Sequence, residues 1–227
     1  MISLTPNLEE FDYLVSVDIG IRHLALLLLE YDKTTNTVKD LVWFELIDIT
    51  KFHHLDLQSE KNCIIPHSKT ISDWLQHLFH LHHELFALAK NILIERQPIQ
   101  GHVAIEQLFF HQFRDKAILI HPRSVHRFFN WNRNKLSYEQ RKVESVKILQ
   151  YRLERTARPW LKSSYEKLER KHDISDAYIQ AVFFLHRKQF DSGCRILKID
   201  DNLTSSTSTL SSSVALLNKF QYTPYVY

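Results

Sequence analysis

The N-terminal part of the chain carries three apolar stretches of strand length, at residues 13–18, 24–31 and 38–49. In the third stretch apolar and polar side chains alternate, which is the period of a half-buried β-strand. The connections are short, and one of them is the turn-like run DKTTN at 32–36. The pattern therefore predicts a meander of three antiparallel strands.

Helical and strand-like patterns alternate in the rest of the chain. Beyond a connecting loop at 51–68, apolar positions recur at helical spacing as far as residue 90, which predicts an amphipathic helix from residue 68 or 70. Short apolar runs at 91–95 and 116–121 predict two further strands. The remaining helices are predicted at 101–114, 122–128, 138–155 and 175–187.

Local signals add detail to three of these helices. Ser124 is the expected N-terminal cap of the helix at 122–128, because its hydroxyl can accept a backbone N–H. The helix at 175–187 is apolar and is expected to carry Asp176 in its first turn. The basic helix at 138–155 has an expected apolar stripe of Val143, Val146, Leu149 and Leu153.

Three meandering strands followed by alternating helices and strands predict an α/β domain, in which helices cover both faces of a mixed sheet. We expect this domain to span residues 1–199. The segment 200–227 differs, because its Ser/Thr-rich run at 204–213 offers few apolar side chains to bury. We expect this tail to be partly mobile.

The composition is that of a globular intracellular protein with 44% hydrophobic residues. No apolar run approaches the roughly 20 residues of a transmembrane helix, so no membrane contact is expected. The first ten residues contain acids but no Lys or Arg, which argues against a secretory signal or an organellar presequence. Cys63 and Cys194 are too few for a disulfide framework or a zinc motif, which favours a reducing compartment.

The charge is unevenly distributed, although the net charge is only +3. Residues 111–171 carry 16 Lys and Arg against 6 Asp and Glu, whereas the rest of the chain is acidic. Such a basic segment is typical of a polyanion-binding surface, and a solvated helical face is the alternative. The candidates for phosphate contacts are Lys116, Arg123, Arg127, Arg133, Lys135, Arg141, Lys142 and Lys147.

Four carboxylates stand where a metal site would need them: Asp18, Glu95, Asp173 and Asp176. Each has an ordinary alternative, as a turn acid, a surface ion-pair partner or an acid at a helix N-terminus. Taken together they are harder to explain, because acids at the ends of apolar strands are costly unless something pairs with them. A divalent cation is the natural partner for several carboxylates at once.

Five segments resemble the motifs of RuvC-like Holliday junction resolvases, in the branch found in poxviruses and related large DNA viruses. That branch is also similar to yeast mitochondrial resolvases. The segments read VDIGIR from residue 17, ILIERQP from 92, ILIHPRSV from 118, YEQRK from 138 and KHDISDA from 171. The resemblance runs in order over about residues 13–190.

The resemblance implies a ribonuclease H-like fold, with a five-stranded mixed sheet of three antiparallel and two parallel strands. It implies that Asp18, Glu95, Asp173 and Asp176 are catalytic and bind two Mg²⁺ or Mn²⁺ ions. The implied activity is symmetric paired nicking of four-way and other branched DNA by a homodimer, in recombination and in resolution of replication intermediates. A poxvirus-like source would place the protein in the host-cell cytoplasm.

Two residues depart from the expected pattern. His172 stands where the viral relatives usually carry an acid, and it could tune the site, contact phosphate or have no role. Glu106, in the run AIEQ, echoes the motif around Glu95, but we expect it to lie solvated on the following helix.

Three other functions remain open at this stage. A ribonuclease H-like nuclease acting on RNA–DNA hybrids has the same sequence pattern. An actin-like phosphotransferase also opens with an Asp-x-Gly strand, but only three glycines are present for its nucleotide contacts. A non-catalytic DNA-binding subunit would leave four acids unexplained.

Overall fold

The computed structural model describes residues 10–54, 70–131 and 136–191. Its five strands are β1 Phe11–Asp18, β2 Leu24–Asp32, β3 Val38–Ile47, β4 Asn91–Glu95 and β5 Ala117–Ile120. A 3₁₀ helix spans Ile49–His54. The α-helices are α1 Ile71–Leu81, α2 His83–Leu88, α3 Val103–Gln112, α4 Pro122–Phe128, α5 Tyr138–Leu153, α6 Pro159–Glu166 and α7 Lys171–Asp191.

The strands form one sheet in the order β3-β2-β1-β4-β5. The pairs β1–β2 and β2–β3 are antiparallel, as expected of a meander. The pairs β1–β4 and β4–β5 are parallel, because helices connect these strands across the faces of the sheet. This confirms the predicted five-stranded mixed sheet.

Alternation along the strands divides the core into two layers. On β1, Leu14 packs with α4, α5, α6 and α7, while Val15 and Val17 pack with α1, α2 and α3. The same division holds on β4, where Leu93 faces the α7 side and Ile94 the opposite side. Helices therefore cover both faces, as predicted.

Helix α7 crosses the centre of one face and is tied to β1 by a buried side chain. The Gln180 Nε2 donates to Ser16 Oγ at 3.0 Å and to the Val17 carbonyl at 3.3 Å. These bonds satisfy polar groups that would otherwise be costly to bury. They also fix α7 relative to the end of β1, just before Asp18.

The structure corrects several predicted helix boundaries. The helix expected from 68 or 70 to 90 is two helices, interrupted at His82. The cap of α4 is His121 rather than Ser124, because Pro122 occupies the first turn and the His121 ring accepts the Arg123 N–H at 3.1 Å. Helix α7 begins at Lys171 rather than Ser175, so Asp173, and not Asp176, lies in its first turn.

Two further differences concern the helices that cover α7. Helix α6 was not predicted from the sequence, although Pro159 is well placed in its first turn. The prediction of which α5 residues face the core is partly wrong. Val143 is 52% exposed, whereas Ser145 and Ile148 are fully buried. The helix is rotated so that a hydroxyl, and not an isopropyl group, faces the interior.

Residues 1–9 and 192–227 lie outside the described part of the chain, so the predicted tail at 200–227 stays a prediction. Among the described helices, none is both long and apolar enough to span a bilayer.

A buried ion-pair network ties β3 to the region between α5 and α6. Asp40, 6% exposed, accepts from Thr156 Oγ1 at 2.8 Å and from the Arg158 guanidinium. The Arg152 guanidinium lies 3.6 Å from the same carboxylate. Removing one member of a buried network leaves the others uncompensated, which costs more than the network contributes when whole.

We therefore expect Asp40→Ala to lower the free energy of unfolding by about 3 kcal/mol. The exposed pair between Glu154 and Arg155, at 3.6 Å, supplies the matched control. Glu154→Ala should change stability by less than about 1 kcal/mol. Urea denaturation measures both variants, and equal effects would contradict a structural role for Asp40.

Candidate active site

Asp18 and Glu95 lie side by side because β1 and β4 are parallel and in register. Val17 pairs with Ile94, so the next residue of each strand stands at the same edge of the sheet. Both side chains also point to the same face, since alternate residues Leu14 and Leu93 pack on the α7 side. Both carboxyl groups are half-buried, and they lie close enough for the charge of Glu95 to raise the pKa of Asp18.

Helix α7 brings the other two acids over the same edge. Asp173 and Asp176 are three residues apart and Gln180 is four further on, so all three lie on one side of the helix. Because Gln180 is bonded to β1, this side faces Asp18. Ser145 of α5 adjoins Asp176, and its hydroxyl donates to the Lys142 carbonyl at 3.0 Å.

Burial raises the pKa of three of the four acids. The pKa of Asp18 is well above its usual range, through burial and through repulsion by Glu95 and Asp176. Burial also raises the pKa of Glu95, although hydrogen bonds from Asp18 and Gln97 oppose the shift. Burial raises the pKa of Asp176 to about 7, against the effect of the Ser145 hydroxyl. These three carboxyl groups therefore favour their neutral forms more than the same groups do in water.

Asp173 has partners of its own. The Arg170 Nε lies 2.8 Å from Asp173 Oδ2, and the His172 Nε2 lies 3.0 Å from Oδ1. Burial lowers the pKa of His172, and the Lys142 and Arg170 charges add to this while Asp173 opposes it. In its neutral form, His172 is better suited to orient the Asp173 carboxylate beside Arg170 than to supply a positive charge.

In the described ranges, no three His, Cys, Asp or Glu side chains converge closely enough to ligate one cation as they stand. Two features nevertheless suit Mg²⁺ or Mn²⁺: the donors are hard carboxylate oxygens from three elements, and Asp18 lies close enough to Glu95 and Asp176 for their charges to repel. A cation would relieve that repulsion. Asp173 would have to turn away from Arg170 to join it.

Glu106 lies on α3, as predicted, but the prediction that it is solvated is wrong. Its side chain is 4% exposed, and Oε2 accepts the Gln97 backbone N–H at 2.5 Å. Gln97 in turn donates from Nε2 to Glu95 Oε2 at 2.7 Å. The second acidic motif thus supports the loop that follows the first.

A groove of about 560 Å³ opens beside Glu95. Its walls come from the loop after β4, from α4 and from the start of α5, and four arginines give it a strong positive charge. These are Arg96, Arg123, Arg127 and Arg141. We call it the arginine groove. Three of the eight predicted phosphate contacts line it, and Arg96 is an addition from the structure.

The other predicted contacts are spread more widely. Lys116 precedes β5 at the opposite end of the sheet from the acids, and its ammonium donates to the Phe86 and Ala89 carbonyls at 2.5 and 3.2 Å. The Lys116 ammonium thus caps α2, and its role as a phosphate contact stays a prediction. Lys142 lies near Asp176 and over the Tyr138 ring at 4.1 Å.

Lys147 forms an ion pair with Glu144 at 2.8 Å. Arg133 and Lys135 lie outside the described residues.

Several residues that shape the site were missed in the sequence, namely Gln97, Ser145, Arg170 and Gln180. They are neutral or common surface types, and only their tertiary contacts give them a role. The adjacency of Gln97 to the acidic motif was the one local signal available.

No protein-family model and no curated protein matches this chain in sequence. Solved structures do match in fold. The crystal structure of fowlpox virus resolvase with its Holliday junction substrate has a TM-score of 0.55 at 18% identity, covering 78% of this chain and 98% of the other. The fowlpox virus Holliday junction resolvase structure alone has a TM-score of 0.53 at 18% identity, covering 77% and 99%.

Thermus thermophilus RuvC has a TM-score of 0.45 at 11% identity, covering 78% of this chain and 97% of that one. The likeness to the viral resolvase spans nearly all of that chain, so it is a likeness of the whole fold. The fold is the ribonuclease H-like fold that the sequence predicted, of the kind that the fowlpox virus resolvase has.

The raised pKa of Asp176 predicts how stability depends on pH without metal. Between its unfolded value near 3.8 and about 7, the folded chain holds a proton that the unfolded chain has released. The free energy of unfolding therefore falls as pH rises through this interval. Asp176→Asn removes this titration, so in EDTA at about pH 8 we expect it to be more stable than wild type by on the order of 2 kcal/mol.

Thermal denaturation in EDTA at about pH 5 and pH 8 measures this effect. Asp115→Asn, at an exposed acid between α3 and β5, is the matched control and should behave as wild type. If Asp176→Asn is instead less stable than wild type at the higher pH, neighbouring groups must stabilise the ionised Asp176 carboxylate in the folded protein.

Proposed function

We propose that this chain is a metal-dependent endonuclease that cuts four-way and other branched DNA junctions by paired nicks. The observation that carries the proposal is the meeting of Asp18, Glu95, Asp173 and Asp176 at one edge of the sheet, beside the arginine groove. The fold shared with a viral resolvase whose structure includes Holliday junction DNA supports it.

Asp18, Glu95, Asp173 and Asp176 are the proposed ligands for two Mg²⁺ or Mn²⁺ ions. Such ions lower the pKa of an attacking water and stabilise the leaving oxygen in an in-line displacement. Asp18 lies near Glu95 and the acids of α7, so it would help them to hold the metal. The chain's own contribution is to keep four acids together at the end of a rigid sheet.

The arginine groove is the proposed seat of the phosphate backbone. Arginine pairs well with phosphate because its planar guanidinium donates two hydrogen bonds at once. The groove borders Glu95 through Arg96 and Gln97, so a strand lying in it would pass beside the acids. Such contacts position a strand without reading its sequence.

A homodimer follows from the symmetry of the substrate. A four-way junction has two-fold symmetry, and a two-fold dimer can place one active site on each of two opposed strands. We therefore propose branched DNA as the partner, in recombination and in the resolution of replication intermediates.

The proposal predicts that Asp176→Asn and Glu95→Gln fold, bind junctions and do not cut them. Nicking of a labelled four-way junction with Mg²⁺ or Mn²⁺ measures cutting, and a gel-shift titration measures binding. Loss of one metal ligand should lower the rate at least about 100-fold, because the developing charge then lacks stabilisation. Asp115→Asn should cut as wild type.

Substrate competition separates this function from its alternatives. Wild type and Asp176→Asn are each incubated with a four-way junction, a linear duplex and an RNA–DNA hybrid. Paired symmetric cuts in the junction alone would support the proposal. Cutting of the hybrid instead would assign another ribonuclease H-like activity, and full cutting by either variant would contradict the site.

The arginine groove yields a separate prediction about salt. Arg123 and Arg127 are exposed on α4, and replacing both with Gln removes two phosphate contacts. Junction affinity should fall, and the slope of log K against log salt should flatten by about 2. Arg155→Gln, at the far end of α5, is the control that should leave the slope unchanged.

A further inference from the structure

Three hydrogen bonds hold Gln97, two through its side chain and one through its backbone. Its Nε2 donates to Glu95 Oε2 at 2.7 Å, and its Oε1 accepts the His102 backbone N–H at 3.4 Å. Its own backbone N–H donates to Glu106 Oε2 at 2.5 Å. Each contact uses a different group of the same residue, so together they fix both its backbone and its amide.

Glu106 is the buried end of this chain of contacts. It is 4% exposed, and Gln107 Nε2 donates to its other oxygen at 2.9 Å. A buried carboxylate needs donors on its oxygens, and here one donor is the backbone of the loop that carries Gln97. Since α3 is packed in the core through Ile105 and Phe109, Glu106 gives that loop a rigid attachment.

Gly101 lets the loop close over Gln97. A Cβ at this position would lie 3.1 Å from Gln97 Oε1 and 3.0 Å from Pro98 Cδ, which is tighter than ordinary packing. The Gly101 N–H also donates to the Pro98 carbonyl at 2.7 Å. The close approach that the missing side chain permits brings His102 within reach of the amide.

We propose that Gln97 is a positioning residue that orients Glu95 for metal binding, and that Glu106 acts through it by anchoring the loop. This inference rests on the proposed function, because it assigns the support of one proposed ligand. Partners of this kind fix the orientation of a ligating side chain, and their loss commonly lowers metal affinity or activity 10- to 100-fold.

Two substitutions separate the contacts. Gln97→Met keeps the length of the side chain but removes the donor to Glu95, and it should weaken Mn²⁺ binding about 10-fold or more. Its kcat for junction nicking should fall while KM stays near the wild-type value, because the four arginines of the groove are unchanged. Gln100→Met, at an exposed residue of the same loop, is the matched control and should bind Mn²⁺ as wild type.

Glu106 is tested by its conservative and its apolar variants. Glu106→Gln keeps a carbonyl oxygen for the Gln97 N–H and should remain within about threefold of wild type, whereas Glu106→Leu should resemble Gln97→Met. If Glu106→Gln and Glu106→Leu lost Mn²⁺ binding and nicking equally, the anchoring role would be overturned, because Glu106 would then act through its charge. Unaltered Mn²⁺ binding and nicking by Gln97→Met would overturn the positioning role.

A double-mutant cycle in EDTA tests the contact independently of metal and DNA. Gln97→Met and Glu95→Met, which removes the accepting oxygens at similar length, are combined, and their shifts in Tm are compared with that of the double variant. A smaller shift than the sum supports the contact, whereas additive shifts would overturn it. If wild type failed to cut junctions but the cycle still showed coupling, the proposed function would fail and the Gln97–Glu95 contact would stand.

Discussion

The structure depends on holding carboxylates together against their mutual repulsion. Parallel pairing of β1 and β4 puts Asp18 and Glu95 side by side, and burial raises the pKa of both. Like charges in a poorly solvated place are unfavourable unless a proton or a cation joins them. A sequence that keeps such an arrangement gives up folding stability, which is expected at a functional site.

The surroundings of the acids divide into two kinds of support. Neutral side chains lie against individual carboxylates: Gln97 donates to Glu95, and Ser145 adjoins Asp176. Cations stand at the margin, with Arg170 paired to Asp173 and the arginine groove opening beyond Glu95. Acids therefore occupy the centre of this edge, and arginines lie at its margin.

The opposite end of the sheet shows what ordinary charge burial looks like in this chain. Asp40 is compensated by arginines that reach it directly, and the Lys116 ammonium is satisfied by backbone carbonyls. The Asp40 carboxylate and the Lys116 ammonium therefore each have ion-pair or hydrogen-bond partners. Asp18 differs from these two groups, because burial and the neighbouring charges of Glu95 and Asp176 all raise its pKa.

The sequence by itself determined the strands, the meander and the four acids, because period-two and helical patterns are local and burial follows them directly. It could not determine that Glu106 is buried, that Lys116 caps a helix or that Ser145 faces the site in place of Val143. Those outcomes depend on how α3, α5 and α7 are rotated against the sheet. Only the tertiary structure decides that rotation, because it comes from packing between residues far apart in the chain.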